Sequence, residues 1–200
     1  MGLIIRPFFN HLPYLASTTL ILSLIVGLGL SVWTLRSVAG NGPLVFEGHP
    51  WITVASMDIN IRLMVDALTA IMLVVVTGVS LMVQVYSQGY MRGDPGYIRY
   101  FAFMSLFSAA MIGLVISGNI IQLYVMWELV GLGSYLLIGF WNHRPAAVAA
   151  AKKAFIVTRI GDFGFLLAIL YLFFNRSVFL DHGLNPLDIS DIHASIPLIE

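Results

Sequence analysis

Ile120-Ile121-Gln122-Leu123-Tyr124-Val125-Met126-Trp127-Glu128-Leu129-Val130-Gly131-Leu132-Gly133-Ser134-Tyr135-Leu136-Leu137-Ile138-Gly139-Phe140-Trp141 is an apolar run interrupted by a single charge, Glu128. Coiled as an α-helix it extends roughly 33 Å, enough to cross a hydrocarbon core of ~30 Å. The rest of the chain supports a bilayer as its solvent. It is 59% hydrophobic and only 10% charged, with a mean hydropathy of +0.91, too apolar for an ordinary soluble domain.

Working outward, four more spans emerge. Leu12 to Leu35 carries no charge; Leu63 to Tyr86 carries Asp66 near its start; Tyr100 to Ser117 is uncharged. Ala146 to Phe174 is longer and holds Lys152, Lys153, Arg159 and Asp162 before an uninterrupted apolar stretch from Phe163. The first span is too long for a secretory leader and lacks a small-residue cleavage pattern. Gly40-Asn41-Gly42-Pro43 should end the first helix, and Arg92-Gly93-Asp94-Pro95-Gly96 should form a turn. Only Gly118-Asn119 separates the third and fourth spans, which must then form a tight antiparallel hairpin with Asn119 as a helix N-cap. Strict alternation from Ser56 to Leu63 has the period of a half-buried strand, so residues 51–62 read as a short hairpin or extended segment outside the bilayer. The expected fold is an all-α integral membrane protein of about five transmembrane helices, with a short extramembrane β-hairpin between the first two. Three stretches organise it: 1–50 as first helix and loop, 51–103 as hairpin plus second helix, and 104–200 as the start of a further core.

Basic residues orient the spans. Arg6, Arg92, Arg99, Arg144, Lys152 and Lys153 fall on the side of the N-terminus, against Arg36, Arg62 and Arg176 opposite, which places the N-terminus in the cytoplasm. Formal charge is balanced, so nothing marks the chain as a nucleic-acid binder. Without cysteine, the chain ligates no iron–sulfur cluster through thiolates and forms no disulfide. The histidines (His11, His49, His143, His182, His193) lie outside the span cores without metal-ligand spacing, so no metal is assigned. Aromatic residues near the span ends, Tyr86, Tyr90, Tyr97, Tyr100, Trp51 and Trp141, suit an interfacial belt.

The chemistry is sought among charges at membrane depth. Glu128 sits roughly 12 Å into its helix, where a carboxylate costs on the order of 2.5–3.5 kcal/mol. It must pair with a cation, border a water-filled path or take up a proton, and each option suits a proton carrier. The competing reading is an acid that only glues helices together. Gly131, Gly133 and Ser134 leave room beside it for a neighbouring helix or water. On the last span Arg159 and Asp162 are three apart, so they share a face and can pair. Lys152 reads as an interfacial residue snorkelling to headgroups, whereas Lys153 points about 100° away from it, toward another partner. Asp66 marks the end of its span, with proton entry as the lesser alternative.

The stretch from Trp127 to Trp141, followed by Lys153-Ala154-Phe155-Ile156-Val157-Thr158-Arg159-Ile160-Gly161-Asp162-Phe163-Gly164, resembles the antiporter-like large subunit of respiratory complex I. That family comprises the L subunit of bacterial NADH:quinone oxidoreductase, the mitochondrial subunit 5 and their chloroplast homologue. Met64-Val65-Asp66-Ala67-Leu68, Val76-Thr77-Gly78-Val79 and Tyr90-Met91-Arg92-Gly93-Asp94 carry the same resemblance, which covers roughly residues 52–175. It implies that Glu128 belongs to a central proton path, pairing with a lysine on a later, broken helix. It implies roles for Arg159 and Asp162 in proton input or coupling to a neighbouring subunit, and a less defined one for Lys153. NADH, FMN, iron–sulfur clusters and quinone would all be held by partner subunits, and this chain would bind no cofactor. The expected partners are other complex I membrane subunits, especially a neighbouring antiporter-like one, within the cell's inner (plasma) membrane. On this reading the chain is a piece of a longer subunit, truncated or encoded by a split gene, and inactive alone. A subunit of a multi-subunit cation/proton antiporter and a structural or assembly membrane protein are the rival readings.

Overall fold

The computed structural model describes residues 13–46, 48–54 and 57–199. Arg6, His11, Ser56 and Glu200 lie outside the described residues, as do the side chains of residues 52–59. Among the described residues, five helices are long and apolar enough to cross a membrane. They are α1 (Pro13–Asn41), α2 (Ala67–Tyr90), α3 (Tyr97–Val115), α4 (Ile120–Ile138) and α5 (Pro145–Phe174), followed by the short α6 (Arg176–Leu180) and α7 (Ile189–Ile199). The chain is therefore an all-α membrane protein, as its composition required.

Each helix stops for a local reason. α1 runs past the expected Leu35 to Asn41, where Gly42 adopts φ 85°, a left-handed conformation that ends a helix at little cost to glycine. Asp66 is the N-cap of α2, its Oδ1 accepting the Thr69 amide at 2.7 Å. This ties Asp66 to helix initiation. Asn119 caps α4 as expected, its Oδ1 accepting the Ile121 amide at 2.9 Å. α5 starts with Pro145 in its first turn, where the missing N–H is no loss.

Between α1 and α2 lie β1 (Leu44–Val45), β2 (His49–Val54), β3 (Met57–Ile61) and β4 (Met64–Val65). β2 pairs antiparallel with β3, and β1 with β4, so the expected hairpin exists with slightly earlier bounds.

Consecutive helices run antiparallel, which puts the strands, the 116–119 turn, α6 and α7 at one end of the bundle and the 91–96 and 139–144 connections at the other. α1 packs on α2 and α3, α3 on α2 and α4, and α4 on α5. In lipid the apolar effect drives no helix together, so packing and polar contacts must do so. Gly133 shows how: a Cβ there would stand 3.2 Å from the Phe107 Cβ, so its absence lets α4 lie close on α3. Tyr97 donates its hydroxyl to Ser17 Oγ at 2.9 Å, linking α3 to α1, and Thr77 lies 3.4 Å from Ser31 between α2 and α1. Apolar clusters cap the two ends. Val38, Val65, Ala70 and Leu73 fill one, while Met91, Tyr97, Phe101 and Phe140 fill the other.

The strand-bearing end is further stitched together by the chain itself. Gly118 N–H donates to Arg62 O at 2.9 Å, Ile120 N–H to Leu187 O at 2.8 Å and Ile189 N–H to Gly118 O at 3.0 Å. Arg62 Nη1 reaches Asp188 Oδ2 at 3.2 Å and Ser190 Oγ at 3.2 Å, and Asn119 Nδ2 donates to Asp188 Oδ1 at 3.1 Å. Asp188 is almost fully buried, and burial pushes its carboxyl above the usual carboxylate range against the lowering effects of Asn119 and Arg62.

Candidate functional site

Glu128 lies in the third turn of α4 and faces α5, which is held against that face by aromatic contacts. Tyr124 meets Phe165 edge to face with ring centres 5.4 Å apart, and Trp127 meets the same ring at 6.4 Å. Tyr135 and Phe155 pack at 5.2 Å further along. These pairs set the register in which the charged residues of the two helices meet. By helical rise, Glu128 lies ~12 Å from the start of α4, and Asp162 ~18 Å from the end of α5 on the same side.

Arg159 forms an ion pair with Glu128 through Nη1. Its Nη2 also donates to the Glu128 backbone carbonyl at 3.3 Å. On its own helix, Nη1 stands 3.9 Å from Asp162 Oδ2, a looser pairing. The guanidinium carbon lies 4.6 Å from the centre of the Phe155 ring, which gives the cation an apolar face to rest on. The second oxygen of Asp162, Oδ1, accepts the indole N–H of Trp127 at 2.8 Å. Side-chain exposure is 31% for Arg159, 22% for Glu128 and 10% for Asp162, so the carboxylate with the weaker hold on the cation is also the more deeply buried.

The site thus joins residues that the sequence placed in two separate groups. The Arg159–Asp162 pairing expected from their spacing is present at 3.9 Å, and the α4–α5 crossing also brings Arg159 across the interface to Glu128, for which the resemblance implies a lysine on a later helix. Gly131 faces the guanidinium, and a Cβ at that position would make only ordinary contact with it, 3.6 Å from Arg159 Nη2. Ser134 turns inward to its own helix, donating to Gly131 O at 3.0 Å. Lys153 and Lys152 are exposed on α5 and enter no ion pair among the described residues. Sequence reasoning missed Trp127, whose adjacency to Glu128 was visible but whose indole partner, 35 residues away, was not.

Chemically, the arrangement is two carboxylates sharing one guanidinium, with a neutral N–H donor completing the second acid. An arginine stays charged and carries donors in a rigid fork, so it offers either acid a fixed positive partner without itself giving up a proton. No group of histidine, aspartate and glutamate that could hold a metal ion occurs among the described residues. Beside Arg159, a shallow apolar groove of about 350 Å³ is lined by Phe155, Ile156, Ile160 and Phe163.

Comparison with known proteins places this site in context. Residues 51–101 match the family described as NADH-Ubiquinone oxidoreductase (complex I), chain 5 N-terminus, and residues 117–185 match NADH:quinone oxidoreductase/Mrp antiporter, TM. NAD(P)H-quinone oxidoreductase subunit 5 of the chloroplast of Chaetosphaeridium globosum is 55% identical over 121 residues, 60% of this chain and 18% of that protein. Chain 5 of the same enzyme from Synechocystis is 51% identical over 129 residues, 64% of this chain and 19% of that protein. The Chara vulgaris chloroplast protein is 45% identical over 85% of this chain and 25% of its own length. The chain thus spans about a quarter or less of the curated relatives it matches. Among solved structures, an archaeal membrane-bound sulfane sulfur reductase complex shares the fold, with TM-score 0.68 at 21% identity over 85% of this chain and 35% of that one. The Mrp complex of Dietzia superposes with TM-score 0.59 at 25% identity over 77% of this chain and 19% of that one. With both family matches in chain order on the helices that build the site, the chain belongs to the antiporter-like family of membrane subunits found in NADH:quinone oxidoreductase and Mrp antiporters.

Proposed function

We propose that this chain forms part of a proton-translocating membrane subunit of NADH:quinone oxidoreductase. The observation that carries the proposal is the pairing of Glu128 with Arg159 across the α4–α5 interface at membrane depth. An acid buried there is held as an anion while its cation is near and takes a proton when the cation moves off, which links charge movement to proton uptake and release. Asp162 is the second acid through which Arg159 can be drawn away, the two serving proton input or coupling to a neighbouring subunit, and Lys153, exposed on α5, is a less defined contributor. Quinone reduction in partner subunits supplies the perturbation, and those partners hold NADH, FMN, the clusters and quinone. The excess of basic residues on the side of the N-terminus supports an N-terminus in the cytoplasm, and the proposed setting is a plasma membrane with a second antiporter-like subunit alongside.

The test is Glu128→Gln in the full-length subunit of the assembled complex, reading protons translocated per NADH oxidised. The expected result is a loss of translocation with assembly retained; an unchanged ratio removes Glu128 from the path. The superposition on the Mrp complex favours a second reading, a subunit of a cation/proton antiporter. That reading expects sodium efflux driven by a proton gradient without NADH oxidation, which vesicles bearing the full complex would show.

A further inference from the structure

Trp127 immediately precedes Glu128, so their side chains leave α4 about 100° apart, and each takes a different partner on one face of α5: the Trp127 indole N–H reaches Asp162, and Glu128 pairs with Arg159. The cluster holds two acids and one cation, with Arg159 on α5 and Glu128 on α4 as the charged groups beside Asp162. If both acids competed on equal terms, the guanidinium would be drawn to Asp162, which is on its own helix and the more buried of the two. The structure has the opposite outcome: Arg159 pairs with Glu128 and stands 3.9 Å from Asp162, and Asp162 instead receives the indole N–H at 2.8 Å.

Resting on the proton-transfer reading above, we propose that Trp127 is a positioning residue for that transfer. Its N–H occupies Asp162 Oδ1 and so leaves Arg159 to Glu128. A neutral donor is suited to this task because it stabilises the carboxylate without adding a second cation that would lock both acids. A packing role makes a different demand, since the indole also meets Phe165 edge to face at 6.4 Å and would then be valued for bulk.

Two variants separate the demands. Trp127→Phe keeps a large ring and deletes the donor. Trp127→His gives up bulk but overlays an N–H on the five-membered ring of the indole. Both are made in the full-length subunit of the assembled complex, and proton translocation per NADH oxidised is followed against pH above ~7.5, where an ordinary imidazole is mostly neutral. The expected result is that Trp127→Phe assembles normally and moves the midpoint of the profile by about one pH unit, the scale of one hydrogen bond to a charged group, while Trp127→His keeps the wild-type profile. A wild-type profile in Trp127→Phe, a shift in Trp127→His alone, or failure of both to assemble would overturn the proposal and leave Trp127 a packing residue. The Glu128→Gln result keeps the two inferences apart: unchanged translocation there defeats the proton-transfer reading, whereas its loss together with a wild-type Trp127→Phe profile defeats the positioning role alone.

Discussion

Arg159 on α5 reaches across the helix interface to Glu128 on α4, pairing with its carboxylate and donating to its backbone carbonyl at 3.3 Å. One side chain thereby joins the charged groups of the site and bridges two transmembrane helices.

Removing that cation should be worse than removing the whole pair. Arg159→Gln leaves two acids at membrane depth without a cation, Asp162 keeping only the Trp127 N–H, and Arg159 is about a third exposed, so the expected cost is ~2 kcal/mol, below the 3–5 kcal/mol of a fully buried pair. The double variant Arg159→Gln/Glu128→Gln should recover about half of this. Thermal unfolding of the purified complex in detergent measures both, and a double variant less stable than the single one would contradict the pairing.

The two glycines beside the site should respond unequally. At Gly133 a methyl would sit 3.2 Å from the Phe107 Cβ, whereas at Gly131 it would sit an ordinary 3.6 Å from Arg159 Nη2. Gly133→Val is expected to push α3 from α4 and cost ~1–3 kcal/mol of stability, while Gly131→Ala should stay within ~0.5 kcal/mol. Assembly yield and melting temperature of the two variants give the comparison.

At the strand-bearing end, Asn119 caps α4 with Oδ1 and holds Asp188 with Nδ2. Asn119→Ala removes both contacts and leaves the buried Asp188 with Arg62 as its side-chain partner, at an expected cost of ~2 kcal/mol. Faster amide exchange at Ile121 and Ile189 would report it; unchanged exchange would contradict the dual role.

Asp188 also makes this end respond to pH. Burial raises its carboxyl above the usual carboxylate range, so the folded protein takes up the proton at a higher pH than the unfolded chain. Local stability should therefore rise as pH falls into the raised range and level off below the unfolded value of ~3.9. Amide exchange of Ile120 and Ile189, corrected for intrinsic rates, should slow on acidification and lose this trend in Asp188→Asn. Faster exchange on acidification would mean that the attraction to Arg62 outweighs burial.

Much of the architecture was legible because a bilayer imposes simple demands. Uncharged runs long enough to span, Gly42 and Pro43 closing α1, and Asn119 in a two-residue turn all act locally, within a few residues of where they are read. The hairpin at 49–61 was legible for the same reason. α6 and α7 were not, since short helices outside the core have no comparable length constraint.

For the site, the residues themselves determined that Glu128, Arg159 and Asp162 needed partners, because charge in hydrocarbon is costly wherever it occurs. Only the tertiary structure decided who those partners are. Arg159 meets Glu128 across 31 residues, and Trp127 meets Asp162 across 35, because aromatic packing sets the crossing of α4 on α5. Arg62 meets Asp188 across 126 residues in the same way. Solvation energy is a property of each side chain and can be read one residue at a time, whereas pairing is a property of how helices cross and exists only once they have packed.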